Sequence, residues 1–121
     1  MAGQEDRVKE LERVREDCLL LIRRLRERLR AEIQPAVDED SVDAAADIYE
    51  RTRVISLIAS QEIKLRALDH AIASAKAGTC GICEICGQPI PDERLRIVPE
   101  TTLCVRCASK VEQGVRRRLR D

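Results

Sequence analysis

The sequence has no Trp and no Phe, and Tyr49 is its only aromatic residue. Rings supply the largest buried areas a small core can use, so a globule built around bulky side chains is excluded. Long apolar runs are missing as well. The longest, Cys18-Leu19-Leu20-Leu21-Ile22, falls far short of the roughly 20 residues that a membrane-spanning helix needs, and no membrane association is expected. The N-terminal Met-Ala-Gly-Gln-Glu-Asp has neither a basic start nor an apolar stretch, which predicts no secretory signal and a reducing, cytoplasmic setting. Net charge is absent too: 22 basic and 22 acidic side chains cancel, so the overall balance gives no support to general polyanion binding.

What remains is aliphatic and charged. Apolar residues make up 44% of the 121, chiefly Leu, Ile, Val and Ala, and charged residues 36%. The length suits one domain with a modest core, and an aliphatic seam between helices uses such a composition better than a globular core does. From about Glu5 to Gln34 there is no Gly or Pro, and Leu11, Val14, Cys18, Leu21, Ile22, Leu25, Leu29 and Ile33 recur at helical spacing. This predicts an amphipathic helix of roughly 45 Å, which Pro35 ends. A second uninterrupted stretch, about Ser41 to Ala77, carries Ile48, Ile55, Ile58, Leu65, Leu68, Ile72 and Ala75, and Gly78 follows as a C-terminal cap. Two such helices bury their stripes most simply against each other, as an antiparallel coiled-coil hairpin. Beyond Thr79 the helical period is lost until Val111, Val115 and Leu119, four apart, predict a short final helix. The expected fold is therefore mainly α: a hairpin over residues 1–78, with an acidic tip at about 35–47, and a finger with a C-terminal helix over 79–121.

Cysteine carries the chemistry. Cys83-Glu-Ile-Cys86 and Cys104-Val-Arg-Cys107 are two Cys-x-x-Cys pairs with seventeen residues between them. Two short turns can each offer two thiolates to one tetrahedral zinc ion, and Gly87 supplies the unhindered residue such a turn requires. Four thiolates close the coordination shell, so the expected metal is one structural Zn2+ and no enzymatic role is expected. Cys80 forms a further Cys-x-x-Cys with Cys83 and stands as an alternative ligand or redox thiol. Cys18 lies on the first apolar stripe and reads as a small buried residue. His70, the only histidine, falls in the middle of the second helix and reads as a solvated surface residue.

Charge is segregated although it sums to zero. From Asp38 to Glu50 the chain carries six acids and no base, whereas Arg116 to Arg120 contains four arginines. Asp40 or Ser41 can cap the second helix, and Asp43 and Asp47 suit its dipole. Capping accounts for only part of this pattern, because the acids gather at the point of the hairpin farthest from the finger.

The long hairpin, the tip Asp40-Ser-Val-Asp43-Ala-Ala45 and the C-x2-C-x17-C-x2-C finger together resemble the DksA/TraR family of bacterial transcription regulators. Gly87, Ile90, Arg94-Leu95, Pro99 and Leu103-Cys104 also look like that family's finger. The resemblance implies direct binding to RNA polymerase rather than sequence-specific DNA binding, with the coiled coil entering the secondary channel and altering promoter-complex stability. Asp40 and Asp43 would be the tip effectors, and Ala45 would shape the tip contact. The positions by which some members help bind ppGpp correspond to Ala67, Val98 and Ala108, which argues against alarmone synergy. A monomer is expected. Two other readings stand beside this one: a nucleic-acid-binding zinc finger using Arg106, Lys110 and the terminal arginines, and a zinc-thiol redox sensor using Cys80.

Overall fold

The computed structural model describes residues 2–32 and 42–120, with side chains over 3–31 and 45–119. Among the described residues four helices follow one another: α1, Ala2–Glu32; α2, Val42–Lys76; α3, Asp92–Ile97; and α4, Val105–Arg120. No strand forms among the described residues, which contain only an isolated antiparallel bridge between Ile82 and Pro89. The fold is mainly α, an antiparallel coiled-coil hairpin with a four-cysteine finger and a C-terminal helix. The stop at Pro35 and the caps at Asp40 and Ser41 lie outside the described residues.

The chain divides into two compact units, Arg15–Arg66 and Met1–Val14 with Ala67–Asp121. In the first, α1 and α2 run antiparallel. Cys18 Sγ lies 3.3 Å from the carbonyl oxygen of Gln61, and Arg28 pairs with Glu50 at 2.6 Å. Cys18, Ile22 and Val54 are buried, with Leu25, Leu29, Ile58, Gln61 and Leu65 half-buried beside them. Along α2 the positions turned inward are 54, 58, 61 and 65, alternating steps of four and three as a coiled-coil seam does. The step count corrects part of the expected stripe. Ile48 and Ile55 are 65% and 50% exposed while Val54 is 1% exposed, because 55 and 48 fall beside the seam rather than on it. Leu21 is likewise on the outside of α1 at 42%. The flanking ion pairs Arg26–Glu62 and Arg28–Glu50, both 2.6 Å, are solvent-exposed and contribute about 0–1 kcal/mol each.

In the second unit, Leu11 of α1 and Leu68, Ala71, Ile72 and Ala75 of α2 are the buried residues that the two long helices supply. Helix α2 ends where Gly78 takes φ of +82°. Its N–H reaches the Ala75 carbonyl at 3.1 Å, and Thr79 N–H returns to Ser74 at 3.0 Å, so the last carbonyls are satisfied by a left-handed cap that glycine adopts without Cβ strain. Cys83, Ile90 and Cys107 form the finger's own small core, covered by Leu95, Leu103 and Cys104. Two elements differ from the sequence reading. Helix α3 is a single short stretch that Pro91 and the first-turn acids Asp92 and Glu93 start. Helix α4 begins at Val105, well before Val111, because Cys107 turns inward as part of the finger core and extends the helix's buried face.

Candidate metal centre

Each Cys-x-x-Cys pair is presented by a turn whose backbone bonds are made locally. At the first, Cys83 N–H donates to the Gln88 carbonyl at 2.9 Å, and Gly87 N–H donates back to Cys83 at 3.0 Å. Gly87 holds φ of +75° with nothing within 4 Å of where a Cβ would stand. The glycine is required by the backbone angle rather than by crowding. At the second, the first turn of α4 carries Cys107, whose N–H lies 3.5 Å from Cys104 Sγ. The first turn is joined to the approach to the second by Glu84 N–H donating to the Thr102 carbonyl at 3.0 Å, and Arg94 Nε of α3 donates to the Leu103 carbonyl at 2.9 Å, just before Cys104.

The outcome is a cluster of four sulfurs. Cys83, Cys86, Cys104 and Cys107 offer Sγ atoms that all lie within 4.8 Å of one another, and Cys86 and Cys104 are 3.7 Å apart. Zinc–sulfur bonds of roughly 2.3 Å in a tetrahedron put sulfurs about 3.8 Å apart, so this donor set fits one zinc ion. No histidine or carboxylate joins the group among the described residues, which is the composition of a closed structural site. Cys80 is half-buried and does not belong to the cluster.

The backbone already favours thiolate at two positions. N–H groups of Cys86 and Cys104 hold the Cys83 thiol down to about 6. The Cys107 N–H lowers Cys104 in the same way. Burial, followed by the neighbouring sulfurs, pushes Cys107 up to about 12. Hydrogen bonds to the charged form and desolvation thus act in opposite senses within one cluster.

His70 is exposed, as its position in the sequence suggests, yet it is engaged. Its Nε2 lies 2.5 Å from Glu84 Oε1, and Glu84 is the residue after Cys83. Spacing within the helix could not reveal this pairing, because it depends on how the finger folds back. Of the tip residues, Asp40 lies outside the described residues, Asp43 is in the first turn of α2 with its side chain outside them, and Ala45 is exposed on α2. No described helix is long and apolar enough to cross a membrane.

Comparison with known proteins points to one family from a family model, a curated relative and a solved structure. The model of the prokaryotic dksA/traR C4-type zinc finger matches residues 78–113. Protein TraR of Escherichia coli is 32% identical over 71 residues, which cover 59% of this chain and 89% of TraR. An uncharacterized protein of Aquifex aeolicus is 47% identical over 49 residues, 40% of this chain. That match spans 34% of the Aquifex protein, and a match to YteA of Bacillus subtilis spans 31% of YteA, so the chain covers about a third of each. Among solved structures, transcription factor DksA2 from Pseudomonas aeruginosa superimposes with a TM-score of 0.78 and 27% identity, covering 96% of this chain and 88% of DksA2.

Proposed function

The chain belongs to the DksA/TraR family, and from that premise we propose that it is a non-enzymatic transcription regulator that acts by binding RNA polymerase. The observation that carries the reading is the chain-wide likeness to the DksA2 transcription factor, which includes both long helices and the finger. In this reading Cys83, Cys86, Cys104 and Cys107 are the ligands of one structural zinc. Zinc, when bound, supplies the positive charge that keeps the four sulfurs as thiolates and cross-links the two turns. The hairpin, residues 1–78, enters the polymerase secondary channel, and the finger with α4, residues 79–121, stays outside. Asp40 and Asp43 bring negative charge toward the catalytic centre and so alter promoter-complex stability, with Ala45 shaping the contact. The chain works in the cytoplasm as a monomer, without ppGpp synergy.

A second reading has one observation in its favour. On α4, Arg106, Lys110, Arg116, Arg117 and Arg118 are exposed and Glu112 is the one acid among residues 105–120, a composition that suits phosphate contacts. Titration of the zinc-loaded chain with polymerase core enzyme and, separately, with duplex DNA distinguishes the two. Saturable binding to the enzyme that survives moderate salt is expected. Binding to DNA alone, falling steeply with salt, would replace the proposal with the nucleic-acid reading.

A further inference from the structure

Glu84 is placed between two of the proposed ligands, after Cys83 and two residues before Cys86, yet its carboxylate is used elsewhere. Oε1 accepts from His70 Nε2 at 2.5 Å and from Ser74 Oγ at 3.3 Å, both on α2. Oε2 accepts from Thr102 Oγ1 at 3.1 Å, and the Glu84 N–H donates to the Thr102 carbonyl at 3.0 Å. Thr102 lies two residues before Cys104, on the approach to the second Cys-x-x-Cys turn. One side chain therefore joins three pieces of chain: the first cysteine turn, the segment leading to the second, and the last turns of α2. An ionised carboxylate can only accept hydrogen bonds, so His70 Nε2 is the donor of this contact whenever Glu84 is charged. Charge-assisted acceptance makes these contacts stronger than neutral ones of equal length.

We propose that Glu84 is a positioning residue through which the zinc turn holds the C-terminal end of α2, so that metal binding and the order of residues 70–76 are coupled. The carboxylate can meet His70, Ser74 and Thr102 together only while the turn from Cys83 to Gly87 keeps its shape, and the four sulfurs are what hold that shape when metal binds. Linkage then works in both directions. Whatever the three contacts contribute to the folded turn is added to metal affinity, and loss of metal releases the end of α2. Residues that orient metal ligands from outside the coordination shell change affinity by about 10- to 100-fold when removed. Glu84 is partly exposed, its side chain 38% accessible, so the lower end of that range is the expected effect.

The inference rests on the four-cysteine zinc assignment and is tested on the full chain loaded with zinc. Zinc content of the unaltered chain reads the assignment itself, and the variants read the coupling. Competition with a colorimetric chelator should show Glu84→Ala binding zinc about 10-fold more weakly, with Glu84→Gln in between because its amide oxygen still accepts. Hydrogen exchange over residues 70–76 should accelerate on zinc removal in the unaltered chain. In zinc-loaded Glu84→Ala it should already be fast, and metal removal should add little. His70→Ala combined with Glu84→Ala should lose no more affinity than Glu84→Ala alone, the non-additivity expected of one shared contact. Unchanged zinc affinity in Glu84→Ala would overturn the proposal, as would exchange at 70–76 that does not respond to zinc. Additive effects of the two substitutions would also overturn it, since they would mark two unrelated structural losses.

Discussion

Arg7 Nη2 donates a 2.8 Å hydrogen bond to the carbonyl oxygen of Pro99, joining the start of α1 to the finger across 92 positions of sequence. The Arg7 side chain is 13% accessible, and its other terminal nitrogen lies 3.3 Å from Glu10. A guanidinium so placed satisfies a partly buried carbonyl while keeping one edge against a carboxylate. Arg7→Ala removes the donor and leaves the acceptor behind, at an expected cost of about 1–3 kcal/mol. Arg7→Lys keeps the charge without the planar fork and should recover only part of this. Urea unfolding followed by circular dichroism measures both. Equal stability of Arg7→Ala and the unaltered chain would show that the contact contributes nothing.

The seam on α2 makes a sharper prediction about packing. Leu68 is fully buried, whereas Ile55, on the same helix and of similar size, is 50% exposed. Leu68→Ala should cost about 2–5 kcal/mol through lost contacts and residual cavity. Ile55→Ala should stay within about 0.5 kcal/mol, as surface changes do. Thermal melts of the two variants give the comparison, and an Ile55 effect as large as that of Leu68 would refute the register of four-and-three steps.

These two residues also show how much of the fold could be read from the sequence. The absence of Gly and Pro across α1 and α2, with apolar residues at helical steps, made the helices and their pairing legible from periodicity alone. Which aliphatic residue faces inward was less legible. Val54 and Ile55 are adjacent and chemically alike, and only the alternation through 58, 61 and 65 selects Val54. Gln61 occupies a seam position that no apolar pattern marks, because its partner is the thiol of Cys18. At the metal centre, two Cys-x-x-Cys pairs identified which sulfurs converge, since each pair is a local turn. The contacts of Glu84 with His70 and of Arg7 with Pro99 were not legible, since each depends on where the finger folds against the helices. Helix α3 carries no periodic signature, because six residues are too few to display a period.

Removal of metal should separate the finger from the helices. A zinc chelator should collapse the finger, whose core is little more than Cys83, Ile90 and Cys107, while most of the far-ultraviolet helical signal persists in α1 and α2. Replacing Cys83, Cys86, Cys104 or Cys107 by Ser, one at a time, should weaken zinc retention. Cys80→Ser should retain the ion, because Cys80 stands outside the sulfur cluster. Zinc content after gel filtration decides the matter. A Cys80 variant that loses metal as readily as the Cys83 variant would require a different ligand set.

The acidic tip permits a test that separates charge from helix capping. Asn at position 40 is as good an N-terminal cap as Asp, and Asn at position 43 keeps the side chain's shape while removing its charge. If capping were the purpose of these aspartates, Asp40→Asn with Asp43→Asn should regulate as the unaltered chain does. If they act electrostatically near the catalytic centre of polymerase, the double variant should bind the enzyme through the finger and hairpin with little loss. It should nevertheless forfeit most of its effect on promoter-complex lifetime. Both quantities are measured on one preparation: affinity by titration with core enzyme, and lifetime by decay of a competitor-resistant complex at a ribosomal promoter. Retained affinity with a lost lifetime effect supports the channel mechanism. Normal regulation by the double variant would assign Asp40 and Asp43 to the helix end and leave the polymerase contact to other residues.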